Sequence, residues 1–241
     1  MAELGHDEMK RETIMADTFM ADTIITVQGR FSSYYPPERA TVLLSVEFEG
    51  PSREPVFSDT VSLSSTVRSL VMERHSPSDG PITWWSSDSI QVWSSKPWSQ
   101  EGAQLPPVFH SRVGFSVKFS DFAVMAEWIE KVAVLDGLAV GAITWALTEG
   151  RKTAVVAEVR SRAVKDAVAK ASVYAQSIGL GSVRAVALAD PGMLGDQVGA
   201  SDSNGSHPVS RMMATGTSPE LSLSPKDIEV EAVVDARFVA S

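Results

Sequence analysis

Along RATVLLSVEFE (39–49) every second residue is apolar, with Ala40, Val42, Leu44, Val46 and Phe48 on one side and mostly polar residues on the other. Successive strand side chains point to opposite faces, so a period of two predicts a strand buried on one face only. The same alternation runs through VFHSRVGFSVKF (108–119). There Phe109, Ser111, Val113, Phe115, Val117 and Phe119 face one way, and His110, Arg112 and Lys118 the other. It returns in DIEVEAVVDARFVA (227–240) with Ile228, Val230, Ala232, Val234, Ala236 and Phe238. Shorter strands are predicted over 23–30, 137–147 and 182–189. A strand over 82–94 places Trp84, Ile90 and Val92 with Ile82, and turns Trp85, Gln91 and Trp93 the other way. Pro36-Pro37 and Gly50-Pro51 punctuate the first pair of strands.

Three segments switch to a helical period. Between 52 and 74, Val56, Thr60, Leu63, Val67 and Leu70 recur at alternating spacings of four and three. The second helix is expected to start at Ser120 as N-cap. It buries Phe122, Met125, Trp128, Ile129 and Val132, and stops at Gly137. The third covers 151–181, with Val164, Val168, Ala171, Ala175 and Ile178 as its apolar stripe. Glu158, Arg162, Asp166 and Lys170 form a ladder of alternating charge, which reads as a solvated face. The resulting order is ββαββαβαββ, an α+β fold with a mixed, largely antiparallel sheet and helices packed on one face.

Two stretches lie outside this scheme. Residues 1–22 read as a disordered leader or as sequence ahead of a true start at Met15 or Met20, with MADT occurring twice. The remainder, 23–240, reads as one domain containing a flexible internal loop at 190–226. That loop is rich in Gly, Ser and Pro, and Met212 and Met213 within it are candidates to dock on a neighbour.

Composition removes several functions. A net charge of −9 on 241 residues, without a basic stripe, argues against nucleic acid. Without cysteine there is no disulfide, thiolate metal site or cysteine nucleophile. Glu12, Asp17 and Asp22 interrupt any N-terminal apolar run, so no secretory signal is visible and a cytoplasmic location is expected. The longest nearly apolar run, 132–147, is shorter than the roughly 20 residues a bilayer requires, so no membrane insertion is expected.

Candidate chemistry is sparse. His6, His75, His110 and His207 lack partners at metal-ligand spacing, so no metal or cofactor is expected. His110 reads as exposed or structural, with a hydrolase built on it as a third-ranked reading. WALTEGRKT (145–153) ends like a phosphate-binding loop, but Trp145 and Arg151 stand where Gly and Lys belong. No catalytic residue is assigned and no enzymatic activity is expected. The distinctive stretch is WWSSDSIQVWSSKPW (84–98), which holds four of the six tryptophans. Trp85, Trp93 and Trp98 are the binding candidates, either in an interface or as a platform for a small molecule or glycan.

The opening TIITVQGRFSSYYPPERATVLLSVEFEG (23–50) resembles the SIMPL-domain family, through Ile25, Val27, Gly29, Pro37, Ala40, Val42, Leu44, Val46, Glu47 and Gly50. The resemblance continues in the alanine-rich helix (Ala163, Ala167, Lys170, Ala171, Ala175, Gly179) and in a closing strand with Pro225, Ile228, Val230, Ala232 and Val234. It runs collinearly over 23–239. It implies an oligomerising protein with no established catalytic residues and a loose link to stress tolerance. Relatives are often exported, and this chain departs from them in showing no signal. The expectation is a non-enzymatic protein that self-associates into a homo-oligomer through its sheet edges, late loop and Trp-bearing strand, with an unknown protein partner as a further option.

Overall fold

A computed structural model describes residues 22–98, 105–194 and 224–241. Met212, Met213 and nearly all of the 1–22 leader lie outside the described residues, as does most of the 190–226 loop. The elements are β1 (Thr23–Tyr35), β2 (Arg39–Gly50), α1 (Arg53–Met72), β3 (Ile82–Ser87), β4 (Gln91–Ser95), β5 (Val108–Phe119), α2 (Phe122–Ala133), β6 (Leu138–Ala146), α3 (Glu149–Ser177), β7 (Val183–Ala189) and β8 (Ile228–Ala240). This is the expected α+β order, with the single strand anticipated over 82–94 divided into β3 and β4.

The chain forms two compact units. One takes the chain through Ser33, the segment from Thr153 and the stretch from Glu229 to Ser241; the other takes Tyr34–Lys152. In the second unit the sheet order is β3-β5-β2-β6, with β4 also paired to β5. All four pairings are antiparallel. Alternation in β2 and β5 sends Val42, Val46, Val113 and Val117 into one core. From the helices come Val67 and Val71 of α1 and Met125, Trp128 and Val132 of α2, so both helices lie on this single face. Most of these side chains are sealed from solvent, and burying each Val or Ile contributes about 1.5–3 kcal/mol.

Local signals set the helix ends. The N-cap of α2 is Asp121, not Ser120: its Oδ1 accepts from the N–H groups of Ala123 and Val124 at 2.9 and 3.0 Å. Ser120 instead donates to the carbonyl of Gly80 at 3.0 Å. After α2 the chain turns at Gly137, whose φ is 85°. A side chain there would also run into the ring of Phe48, so the position needs glycine twice over. At the start of α3, Glu38 Oε2 accepts from Thr148 Oγ1 at 2.6 Å and from its N–H at 3.1 Å. Thr148 Oγ1 in turn accepts from Arg151 N–H at 3.3 Å.

In the first unit the sheet runs β1-β8-β7, with β7 and β8 antiparallel, and the body of α3 packs on it. The stripe α3 buries is not the expected Val164–Val168–Ala171–Ala175–Ile178 line. Ala163, Ala167, Ala171 and Ala175 are buried, while Val168 and Ile178 are exposed. Gly29 of β1 explains the choice. A Cβ at that position would fall on the Ala163 carbonyl and on Ala167, so strand and helix meet backbone to backbone. Only small residues fit such an approach: Val168 is turned out, and the valines that α3 does bury, Val155 and Val159, lie in earlier turns of the helix. The charged ladder is more than a solvated face. Asp166 accepts from the Arg30 N–H at 2.8 Å, and Lys170 donates to the Gln28 carbonyl at 3.0 Å while pairing with Asp166 at 2.7 Å. The ladder therefore fastens β1 on either side of Gly29.

Two outcomes follow from this packing. Gly29→Ala is expected to lose at least about 1–3 kcal/mol of stability in urea unfolding, the usual cost of overpacking, whereas an unchanged midpoint would show that β1 and α3 do not meet this closely. The second concerns acid. Glu38 is held below the ordinary carboxylate range by the Thr148 hydroxyl and N–H, then by Arg151 and Arg39. Asp166 is lowered by the Lys170 hydrogen bond, then by the Arg30 N–H. Between the folded and unfolded values the unfolded chain binds more protons. Their stabilisation is therefore complete above the ordinary carboxylate range and lost as pH falls through the lower folded values. Glu38→Gln and Asp166→Asn should each flatten the acid limb of Tm against pH; two unaltered limbs would contradict the assignment.

Candidate functional site

The face of the five-stranded sheet opposite α1 and α2 is set by the register of β5. His110 pairs with Glu49 of β2 on one side and with Trp93 of β4 on the other. These three side chains form one row across three strands, since directly opposed antiparallel residues share a face. The next row is Gln91, Arg112 and Glu47, in which Arg112 Nε meets Glu47 Oε1 at 3.0 Å. At the far end of β5, Lys118 pairs with Thr41 and with Trp84.

At the Trp93 end the geometry is specific. The indole and imidazole rings stack with centroids 5.3 Å apart and planes 14° from parallel. His110 Nε2 lies 2.8 Å from Ser95 Oγ, and Nδ1 lies 3.4 Å from Glu49 Oε2. Ser95 follows Trp93 by two residues, which returns it to the same face. A depression of about 270 Å³ opens here, lined by Glu47, Phe48, Glu49, Trp93, His110 and Ser111. Beside it His110 is held between the Ser95 hydroxyl and the Glu49 carboxylate, with the Trp93 indole stacked on the ring.

Of the residues singled out from the sequence, His110 and Trp93 belong to this cluster. Ser95 carries no mark in the sequence, and Glu49 reads there only as one of two carboxylates, with Glu47, on a solvent-facing strand side. The signal that finds them is register: two alternating strands paired so that position 49 faces 110, and 110 faces 93. Trp85 and Trp93 do not share a face. A bulge between Ile82 and Trp84 shifts the pairing to Trp84–Lys118 and Trp85–Val117. This reverses the parity expected for the pair: Trp85 packs against the core with Arg68 over its ring, and Trp84 is 46% exposed beneath Lys118. A second irregularity restores the pattern in β4. Asp88 leaves the strand, donates its N–H to the Gly114 carbonyl at 2.9 Å and lays its carboxylate over Gly114. Val92 then faces inward and Trp93 outward, as expected. Trp98 lies past β4 and is 75% exposed.

The first unit has a depression of its own, about 460 Å³, beside Thr26, Gln28, Gly192, Leu194, Asp235 and Arg237. Asp235 is already engaged by Gln28 Nε2 at 3.1 Å and by Gly192 N–H at 2.7 Å, which ties the turn after β7 to β8. Among the described residues no group of three or more His, Cys, Asp and Glu is placed to hold a metal, and no helix is long and apolar enough to cross a membrane.

The sequence profile of SIMPL, described as a protein of unknown function (DUF541), matches residues 25–238. A comparison with curated proteins finds no match.

The reversed parity separates the two adjacent tryptophans by experiment. Trp85→Ala is expected to cost about 2–4 kcal/mol in urea unfolding, as a large core truncation does. Trp84→Ala should cost under about 1 kcal/mol, the worth of an exposed cation–π contact. Equal costs would place both rings in like surroundings and contradict the bulge.

Proposed function

The chain belongs to the SIMPL family of proteins of unknown function, and we propose that it is a contact module that pairs with a second copy of itself. The pairing surface is the Leu43–Trp84 end of the open sheet face. The observation that supports this reading is that both helices of the unit pack on one side of its sheet, leaving the other side uncovered by any described element of that unit. On the uncovered side Leu43 is 43% exposed. It pairs with Ser116, which pairs with Ser86, and the neighbouring row is Thr41, Thr144, Lys118 and Trp84.

Small hydroxyl side chains leave Leu43 and Trp84 standing proud on this end, and sheets stack face to face at about 10 Å. One identical face laid on another by a two-fold axis is self-complementary, which is why a second copy is the natural occupant. Leu43 and Trp84 would supply the apolar contact, with Trp among the residues that dominate interface energy.

Sedimentation velocity at tens of micromolar should show a concentration-dependent dimer or larger species. Trp84→Ser and Leu43→Lys should each weaken it by about 30-fold or more, the loss of one hot-spot residue. A monodisperse monomer of the intact chain, or an assembly indifferent to both substitutions, would sink this reading.

A further inference from the structure

We propose that Ser95 is an acylatable nucleophile and that Ser95, His110 and Glu49 together transfer short acyl groups from neutral, activated esters to water. The inference is independent of the contact reading, because the cluster lies at the opposite end of β5 from Lys118, about 27 Å away along the strand at 3.4 Å per residue.

Three observations converge on the imidazole. Its Nε2 is 2.8 Å from Ser95 Oγ, within the reach a general base needs. Its Nδ1 is 3.4 Å from Glu49 Oε2, so the carboxylate favours the tautomer with hydrogen on Nδ1 and leaves the Nε2 lone pair to accept from the serine. Its ring is stacked on Trp93 and its side chain is only 22% exposed, so the ring is held in place. A nucleophile, a base and a group that orients the base are the parts of a covalent acyl-transfer site, and such sites are recognised by geometry and not by sequence position. Ser95 and His110 are the catalytic residues; Glu49 and Trp93 position the ring.

In the first half-reaction Ser95 Oγ bonds to the ester carbonyl carbon while its proton passes to Nε2. The bond from carbon to the leaving oxygen then breaks, and that oxygen takes the proton from Nε2. In the second, water gives a proton to Nε2 and bonds to the acyl carbon. The Ser95–acyl bond breaks, the serine oxygen recovers its proton, and a carboxylic acid departs. No oxidant or reductant is involved.

The surroundings define the substrate class. Ser95 and Glu49 are exposed, so the oxyanion is stabilised largely by water and the leaving group must be a good one. That points to aryl or comparably activated esters and away from amides. The depression of about 270 Å³ is lined by His110, Glu49 and Trp93 but not by Ser95, so it lies beside the nucleophile and leaves room for only a short acyl chain between them. Arg112 neutralises Glu47 at 3.0 Å, but Glu49 remains at the rim and disfavours an anionic substrate. The outer face of the Trp93 indole offers an aromatic leaving group a surface to stack on.

The test uses the full chain with 4-nitrophenyl acetate, reading nitrophenolate release and the mass of the trapped protein. Wild type should carry one acetyl group on Ser95 at early times and turn over about 100-fold faster than Ser95→Ala or His110→Gln. Glu49→Gln should lower kcat by less than either of these, with KM unchanged, because the ring loses the group that orients it, and Glu49→Asp should recover part of the loss; a merely structural role would move KM and the melting curve together. Circular dichroism checks each fold. Should His110→Gln fail to fold, Ser95→Ala, altered at an exposed strand end, still decides. Equal rates for wild type and Ser95→Ala, or acetyl groups on lysines alone, would overturn the proposal.

Discussion

The antiparallel register between β2 and β5 runs unbroken from Ala40–Phe119 to Gly50–Phe109, and the architecture of the Tyr34–Lys152 unit depends on it. Each step along these strands sends one side chain into the core and the next onto the open face. The pairs Val42–Val117 and Val46–Val113 seal the side against α1 and α2. Pairs of the other parity, among them Glu47–Arg112 and Glu49–His110, face outward. A slip of β5 by one residue would put His110, Arg112 and Lys118 under the helices and Val113 and Val117 in water, so burial itself enforces the register. The same constraint aligns Glu49, His110 and Trp93 in one row. The chemical cluster is thus a by-product of the strongest packing in the unit.

The first unit solves a different problem. A three-stranded sheet has little area, and its contact with α3 gains strength from closeness. Gly29 and the alanines at 163, 167, 171 and 175 allow backbone to meet backbone. Close approach increases dispersion contacts and excludes water, but it leaves few large side chains to bury. Asp166 and Lys170 add polar fastenings to the β1 backbone at the edge of that contact. Charge-assisted bonds of this kind are stronger than neutral ones, though exposure to solvent keeps each modest.

The tryptophan-rich stretch shows how an edge strand departs from simple alternation. Between Ile82 and Trp84 a bulge adds a residue, and at Asp88 the chain leaves the sheet before β4 resumes. Such interruptions protect an exposed edge from pairing with other chains and re-aim side chains. Here the first one turns Trp85 inward and Trp84 outward. The second leaves Trp93 and Ser95 facing outward, over and beside His110. Two adjacent and identical residues therefore occupy opposite environments.

By itself the sequence determined the element types and their order, because periods of two and of three to four are direct imprints of which face is buried. The inward residues of β2, β5 and β8, the buried face of α2 and the α+β class were legible for that reason, as was the family pattern carried by Gly29, Pro37 and the alanine series. What only the tertiary structure decided depends on partners distant in the chain. The stripe that α3 buries follows from Gly29, more than a hundred residues earlier, and the helix pattern alone favoured the larger valines. The parity of Trp84 and Trp85 follows from a bulge that no local propensity marks. The meeting of Glu49, Ser95 and His110 follows from inter-strand register. Periodicity states which way a side chain points but not which residue stands opposite it, and the chemistry of this face lies in the residues that stand opposite.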